Sequence, residues 1–242
     1  MNRGSKKRGK NGVSIIVCTK RPQCIDRIFN NYRRQAYKEK ELIIVLNHNR
    51  MDFAPYRLRA KDYQKVRVYQ LPEVASLGAC LNFGVGKAQY PLVAKFDDDD
   101  YYSSYYLLEA VRAMSETGAD VVGKRTMYVY LREKKLLLIR RPGIENRFSQ
   151  VVAGATLVAK QEVFRKVRFP DSTLGECLSF LRGCRKKGFK IYSTSRYNFV
   201  AYRRQDHKSH TWQIPYPVLI RQYSRIVSFT RNYKKWADKP IL

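Results

Sequence analysis

Two almost continuous apolar runs set the strongest limit on what this chain can fold into. Val13-Ser14-Ile15-Ile16-Val17-Cys18 and Glu41-Leu42-Ile43-Ile44-Val45-Leu46 are apolar or β-branched at nearly every position. Strands of that composition are buried on both faces, as in a parallel sheet covered by helices on each side. Between them Pro22 occupies a first helical position, and Ile25, Ile28, Phe29 and Tyr32 follow at helical spacing. Strand, helix and strand at this spacing make a βαβ unit.

The pattern repeats with variation. Val66-Arg67-Val68-Tyr69 reads as a short strand, and Ser76 as the cap of a helix carrying Leu77, Leu81, Val85 and Ala88. The next strand, Pro91 to Phe96, runs straight into Asp97-Asp98-Asp99-Asp100. A helix with Leu107, Leu108, Val111 and Met114 inward follows, stopped by Gly118. Further strands are expected near 121–122, 127–131, 136–139 and 151–159. Leu174, Cys177, Leu178, Leu181 and Cys184 share a helical face, closed by Gly188 before Ile191-Tyr192. From Pro215, the spacing of Leu219, Tyr223, Ile226 and Val227 predicts a final amphipathic helix bearing Arg221 and Arg225.

Charge narrows the partners. In 242 residues, 48 Lys and Arg face 20 Asp and Glu, a net charge of +28. Such a field attracts polyanions: nucleic acid, anionic lipid headgroups, phosphorylated substrates or acidic glycans. Five cysteines with no C-x-x-C pair argue against a zinc ribbon, a dithiol redox site or a disulfide scaffold. No apolar run approaches the roughly 18–20 residues needed to span a bilayer. The apolar stretch behind the basic N-terminus is too short for a signal peptide. The expectation is a cytoplasmic protein, with peripheral attachment to the inner face of the membrane as an option.

Four of the 20 acidic residues stand in a row at the end of an apolar strand. In open α/β sheets ligands bind outside the carboxyl ends of strands. Carboxylates there can share a hard divalent cation that keeps positions open for substrate phosphates. With these residues in place, the chain resembles the family 2 glycosyltransferases of the GT-A fold. Val13 through Pro22 is similar to the family's opening strand and loop, Glu41 to Asn47 to its second strand, and Ser76 through Ala88 to the helix before its metal motif. Phe96-Asp97-Asp98-Asp99-Asp100 is similar to the D-x-D-D motif. Gly175-Glu176-Cys177 falls where the family carries an E-D pair. The resemblance covers residues 13–212.

The resemblance implies an α/β fold with a Rossmann-like mixed central sheet flanked by helices, and a C-terminal amphipathic helix beyond it. It divides the chain into a basic tail (1–12), a nucleotide-binding half (13–100), an acceptor half (101–212) and a basic helical extension (213–242). Thr19, Lys20, Asn47, Asn82, Asp97 and Asp98 would line the nucleotide-sugar site. Asn47 replaces the usual Asp that accepts from the base, and keeps an acceptor oxygen without the charge. Asp99, with Asp97 and the late His210, would hold Mn2+ or Mg2+. Arg203 and Arg204 would reach the diphosphate.

Inverting transfer needs a carboxylate to take the acceptor hydroxyl's proton. The family's Asp position is Cys177 here, which leaves Glu176 as the candidate base and Asp171 as the next carboxylate upstream. Tyr101, Tyr102, Tyr105 and Tyr106 offer ring faces to a sugar or to a core. The implied reaction moves a sugar from a nucleotide-sugar donor, a UDP-sugar first, to a glycan or lipid-linked acceptor in cell-surface or envelope glycan synthesis. An anionic acceptor would suit the positive field. The C-terminal helix could rest on anionic lipid. Two other readings stand beside it. A nucleic-acid-binding protein rests on charge and aromatics, without a reader motif and with four carboxylates unexplained. A GT-A fold that binds without turnover is motivated by Cys177 and Asn47.

Overall fold

In the computed structural model, which describes residues 12–204, 214–221 and 224–241, the first apolar run is strand β1 (Val13–Thr19). It lies between β2 (Lys40–Asn47) and β4 (Leu92–Phe96), parallel to both, and β3 (Val66–Leu71) continues the parallel run beyond β2. Alternation decides what each face meets. Ile15, Val17, Leu42, Ile44 and Phe96 join one core, with Ile28 and Phe29 of helix α1 (Ile25–Arg34). Ile16, Ile43, Val45 and Val93 join a second core, with Cys80 and Leu81 of the helix that follows β3. Both faces are therefore covered, as the unbroken apolar composition requires.

Between β2 and β3 a short helix, α2 (Ala54–Ala60), places Tyr56 in the first core. The sequence reading did not predict it, since its seven residues bury only one side chain. Ser76 caps α3 (Leu77–Lys87), its Oγ accepting from Ala79 N at 3.1 Å. Beyond β4 come β5 (Tyr101–Tyr102), α4 (Tyr106–Thr117) and β6 (Val121–Gly123), with Gly118 left-handed at the α4 stop. Next are β7 (Met127–Leu131), β8 (Leu136–Arg140) and β9 (Arg147–Phe148).

The strand expected at 151–159 is confined to β10 (Val158–Lys160); a 3-10 turn at Gly154–Thr156 precedes it. Helix α5 (Gln161–Lys166) leads to α6 (Glu176–Lys186), which buries Cys177, Phe180, Leu181 and Cys184. Leu174 and Leu178, expected on that face, are exposed, because Phe180 takes the inward position. Strands β11 (Ile191–Ser193) and β12 (Phe199–Arg203) follow.

Two sheets result. The larger has the order β3-β2-β1-β4-β10-β6-β11-β9, with β10 antiparallel to its neighbours. The smaller has the order β13-β8-β7-β12-β5, where β13 is Ser224–Phe229. The final helix is thus much shorter than its periodicity predicted. α7 spans Tyr216–Arg221, and Ile226 and Val227 lie in a strand antiparallel to β8. A last turn, α8 (Lys234–Ala237), lies over the tyrosines of the smaller sheet. Among the described residues no helix is long and apolar enough to cross a membrane.

Candidate active site

The register of β1 against β4 creates the site. Val17 pairs with Phe96, so the chain leaves both strands side by side at Thr19 and Asp97–Asp100. Thr19 Oγ1 donates to Asp98 Oδ2 at 2.5 Å. Arg21 grips the same carboxylate through Nε (3.0 Å to Oδ2) and through its Nη2, and reaches Asp99 Oδ2 with Nη1 at 2.8 Å. Arg204 Nη2 also approaches Asp99 Oδ2, at 3.3 Å. Burial pushes the Asp98 carboxyl upward while Arg21 pulls it down, and burial prevails. Asp98 is therefore clamped in the wall, with only 3% of its surface open.

Asp100 is a joint rather than a ligand. Its Oδ1 accepts from Tyr202 N at 2.8 Å, tying the tetrad to β12, and its carbonyl accepts from Asn31 Nδ2 at 2.9 Å. Burial, with the like charges of Asp99 and Asp97, holds its carboxyl well above the usual range.

Asp97 is the most open of the four, its side chain 36% exposed. Its amide donates to Tyr102 Oη at 2.7 Å, and Lys95 Nζ pairs with its carboxylate. Val93, Lys95 and Asp97 alternate along one face, so the lysine lies directly beneath the carboxylate. Burial works against the Lys95 charge, but Asp97, helped by Glu176, more than offsets it.

Glu176 begins α6, after Gly175 in the left-handed region (φ 77°) that a side chain would disfavour. Its carboxyl is buried and Oε1 accepts from the Cys177 thiol at 3.2 Å. Burial holds that thiol neutral, well above its ordinary range. Glu176 therefore shares one electrostatic neighbourhood with Lys95 and Asp97, although more than 75 residues separate them in sequence.

The other expected residues divide. Lys20 is exposed at the rim, and Asn47 lies half-buried at the end of β2, its Nδ2 donating to Pro72 O at 2.7 Å. Asn82 is not turned to the strand ends. Its amide donates to Phe169 O (2.8 Å) and accepts from Phe169 N (3.1 Å), which clips α3 to the 169–173 segment. Asp171 is occupied similarly, accepting from Ser76 Oγ at 2.5 Å. Tyr102 and Tyr106 are core residues, and Tyr101 donates to Asp238, so these rings offer no sugar platform. Arg203 is buried, and burial lowers its pKa. His210 lies outside the described residues.

Three functional candidates escaped the sequence reading: Arg21, Arg27 and Lys95. Arg27 donates to the Asp99 carbonyl and stacks 4.3 Å over the Tyr202 ring. Lys95 carried a usable signal, a cation two residues before the tetrad. Arg21 stands just past the end of β1, far from the tetrad in sequence, and meets it only because β1 pairs with β4.

Asp97, held by Lys95, and Asp99, held by Arg21 and Arg204, supply carboxylate oxygens of the kind a hard divalent cation takes when it completes its shell from phosphates and water. Among the described residues no group of three or more His, Cys, Asp or Glu is arranged to hold a metal unaided. The pair fits such an ion only in company with a phosphorylated ligand.

The family described as Glycosyl transferase family 2 matches residues 14–192, most of the chain. The chain belongs to glycosyl transferase family 2. The chain is 25% identical over 167 residues to the O-antigen biosynthesis glycosyltransferase WbnJ of Escherichia coli. The match covers 64% of each chain, so it spans less than two-thirds of that relative's length. Among solved structures, S. aureus TarS 1-349 in complex with UDP-GlcNAc aligns at a TM-score of 0.65 with 16% identity, over 84% of this chain and 61% of that one. The mannosyltransferase PcManGT from Pyrobaculum calidifontis, in complex with GDP-Man and Mn2+, aligns at 0.57 with 16% identity, over 87% and 58%. These likenesses establish the GT-A fold for this family 2 chain.

Proposed function

We propose that this glycosyltransferase moves a sugar from a nucleoside-diphosphate sugar, a UDP-sugar first, to a hydroxyl of a cell-surface or envelope glycan or its lipid-linked precursor, with inversion. It would work on the cytoplasmic side. One observation carries the proposal: the only open carboxylate of the tetrad, Asp97, shares its neighbourhood with the buried Glu176, at the carboxyl ends of β1 and β4. Two structural relatives were captured with nucleotide sugars, UDP-GlcNAc in one and GDP-Man in the other.

In this account Thr19, Lys20 and Asn47 line the nucleotide pocket, and Asp98 fixes the loop through Thr19 and Arg21. Arg21 and Arg204, now on Asp99, are placed to donate charge-assisted hydrogen bonds to a diphosphate. A Mn2+ or Mg2+ ion held by Asp99, with Asp97 and the proposed His210, would neutralise the departing diphosphate when bound. Glu176 accepts the acceptor hydroxyl's proton. The new C–O bond forms on the face of the anomeric carbon opposite the breaking bond to the diphosphate, which leaves with its electron pair. Lys95 balances the charge of Glu176 and Asp97 beneath the sugar.

The test is nucleotide release from UDP-GlcNAc and GDP-Man, with water as acceptor, in wild type and Glu176→Gln. Loss of about 10²–10⁴-fold in rate with donor affinity retained is expected of a lost general base. An unchanged rate in Glu176→Gln would remove Glu176 from the chemistry. Release from neither donor would favour a GT-A fold that binds without turnover.

A further inference from the structure

Beyond its catalytic face, the molecule carries a second feature that glycosyl transfer does not use: the outer edge of the smaller sheet. β13 is the last strand on that side and pairs with β8 through a bulge between Ile226 and Ser228. Ile226 stands opposite Leu138 and Phe229 opposite Leu136. Leu136 and Leu138 are sealed in the main core, but at the sheet margin the same face runs out of cover. Ile226 is left 53% exposed and Phe229 73%.

Arg221 at the end of α7, Arg225 within β13 and Arg231 just after it are all exposed, and none pairs with a described carboxylate. From residue 214 onward the only acidic side chain is Asp238, whose carboxylate is held by Tyr101 Oη at 2.8 Å.

We propose that this edge docks on an anionic lipid surface. Arginines would engage the headgroups, and Ile226 and Phe229 would reach the acyl boundary. Charge and hydrophobicity together select this partner. Cations alone would suit any polyanion, but an exposed Ile and Phe gain nothing from a sugar–phosphate backbone and much from hydrocarbon. A second copy of the chain is disfavoured at the same edge. Two molecules of net charge +28 would bring unpaired arginines together, and charged edge strands oppose edge-to-edge pairing. The proposal is independent of the catalytic reading, since none of these residues belongs to the candidate active site.

Flotation of the full chain with phosphatidylcholine vesicles, with and without phosphatidylglycerol, tests it. Binding is expected only to the anionic vesicles, and should weaken as salt rises. The double variant Arg225→Gln/Arg231→Gln should lower partitioning about thirtyfold, and Ile226→Ser/Phe229→Ser at least about tenfold. Each should leave nucleotide release unchanged, because the substituted side chains are exposed and remote from the site. A Phe229→Trp variant gives a second readout, an emission blue shift beyond that of wild type on binding anionic vesicles.

Several results would overturn the proposal. They are equal binding to neutral vesicles, no binding at all, binding indifferent to the β13 substitutions but lost on deletion of residues 1–11, or a solution dimer that Phe229→Ser dissociates.

Discussion

Arg21 shows how much of the site depends on single side chains. It neutralises Asp98 inside the wall and Asp99 beside it, while burial works against the charges of Arg21 and Asp98. Replacing one partner of a buried ion pair leaves the other without compensation, which costs far more than the intact pair contributes. Arg21→Met should therefore destabilise the fold by about 3 kcal/mol in denaturant unfolding, and a change below about 1 kcal/mol would show that solvent reaches Asp98.

At this scale the sequence revealed the tetrad but not its division of labour. Four identical residues in a row become a clamped wall residue, a joint to β12, a carboxylate covered by Arg21 and Arg204 and one open carboxylate only when β1, α1 and β12 are placed around them. Asn82 has a partner the sequence did not show. A helical Asn near the motif has two amide functions, and the Phe169 backbone satisfies both.

Among the elements, α3 and the 169–173 segment that crosses its start form one unit. Gly78 N donates to Ser172 O at 3.0 Å, and a Cβ on Gly78 would sit 1.8 Å from the Pro170 carbonyl oxygen. Gly78→Ala should push the segment away from α3 and disturb Glu176, which follows shortly after it. Reduced stability together with slower nucleotide release is the expected pair of results, and wild-type values for both would contradict the close approach. Ser76→Ala removes a cap and the bond to Asp171, and should cost about 1 kcal/mol by thermal unfolding.

Asp120 ties three strands of the large sheet together. Its Oδ1 accepts from Lys160 Nζ at 2.8 Å and its Oδ2 from Lys190 N at 2.9 Å. Burial opposes the Asp120 charge, but Lys160 and the Lys190 amide outweigh it, and the carboxyl falls below its ordinary value of 3.8. A depressed carboxyl stabilises the fold above its unfolded pKa and loses that contribution as pH falls through the folded value. Asp120→Asn should therefore be less stable than wild type at neutral pH, and the gap should close in strong acid. A gap independent of pH would refute the ion-pair origin.

The parallel strands and their helices were legible because continuous apolar runs and 3.6-residue periods are local signals. β13 was not. Ile226 and Val227 fit a helical face as well as an edge strand, and only pairing with β8 decides between them.

For the whole molecule, two sheets meet around one tetrad. β5 follows it directly in the smaller sheet and β4 ends at it in the larger, so both sheets converge on Asp97–Asp100. The net charge of +28 suits both a diphosphate donor and an anionic surface near it.

The central claim is that Asp97 and Asp99 form a live nucleotide-sugar site. It is tested most directly by thermal unfolding with a panel of nucleoside diphosphates, with and without Mn2+, in wild type and Asp99→Ala. A ligand at 100 times its Kd adds about 2.7 kcal/mol of stability, which shows as a clear rise in melting temperature. The account predicts a rise with one nucleotide that depends on metal and disappears in Asp99→Ala. The same rise in wild type and Asp99→Ala, or no rise with any nucleotide, would contradict it.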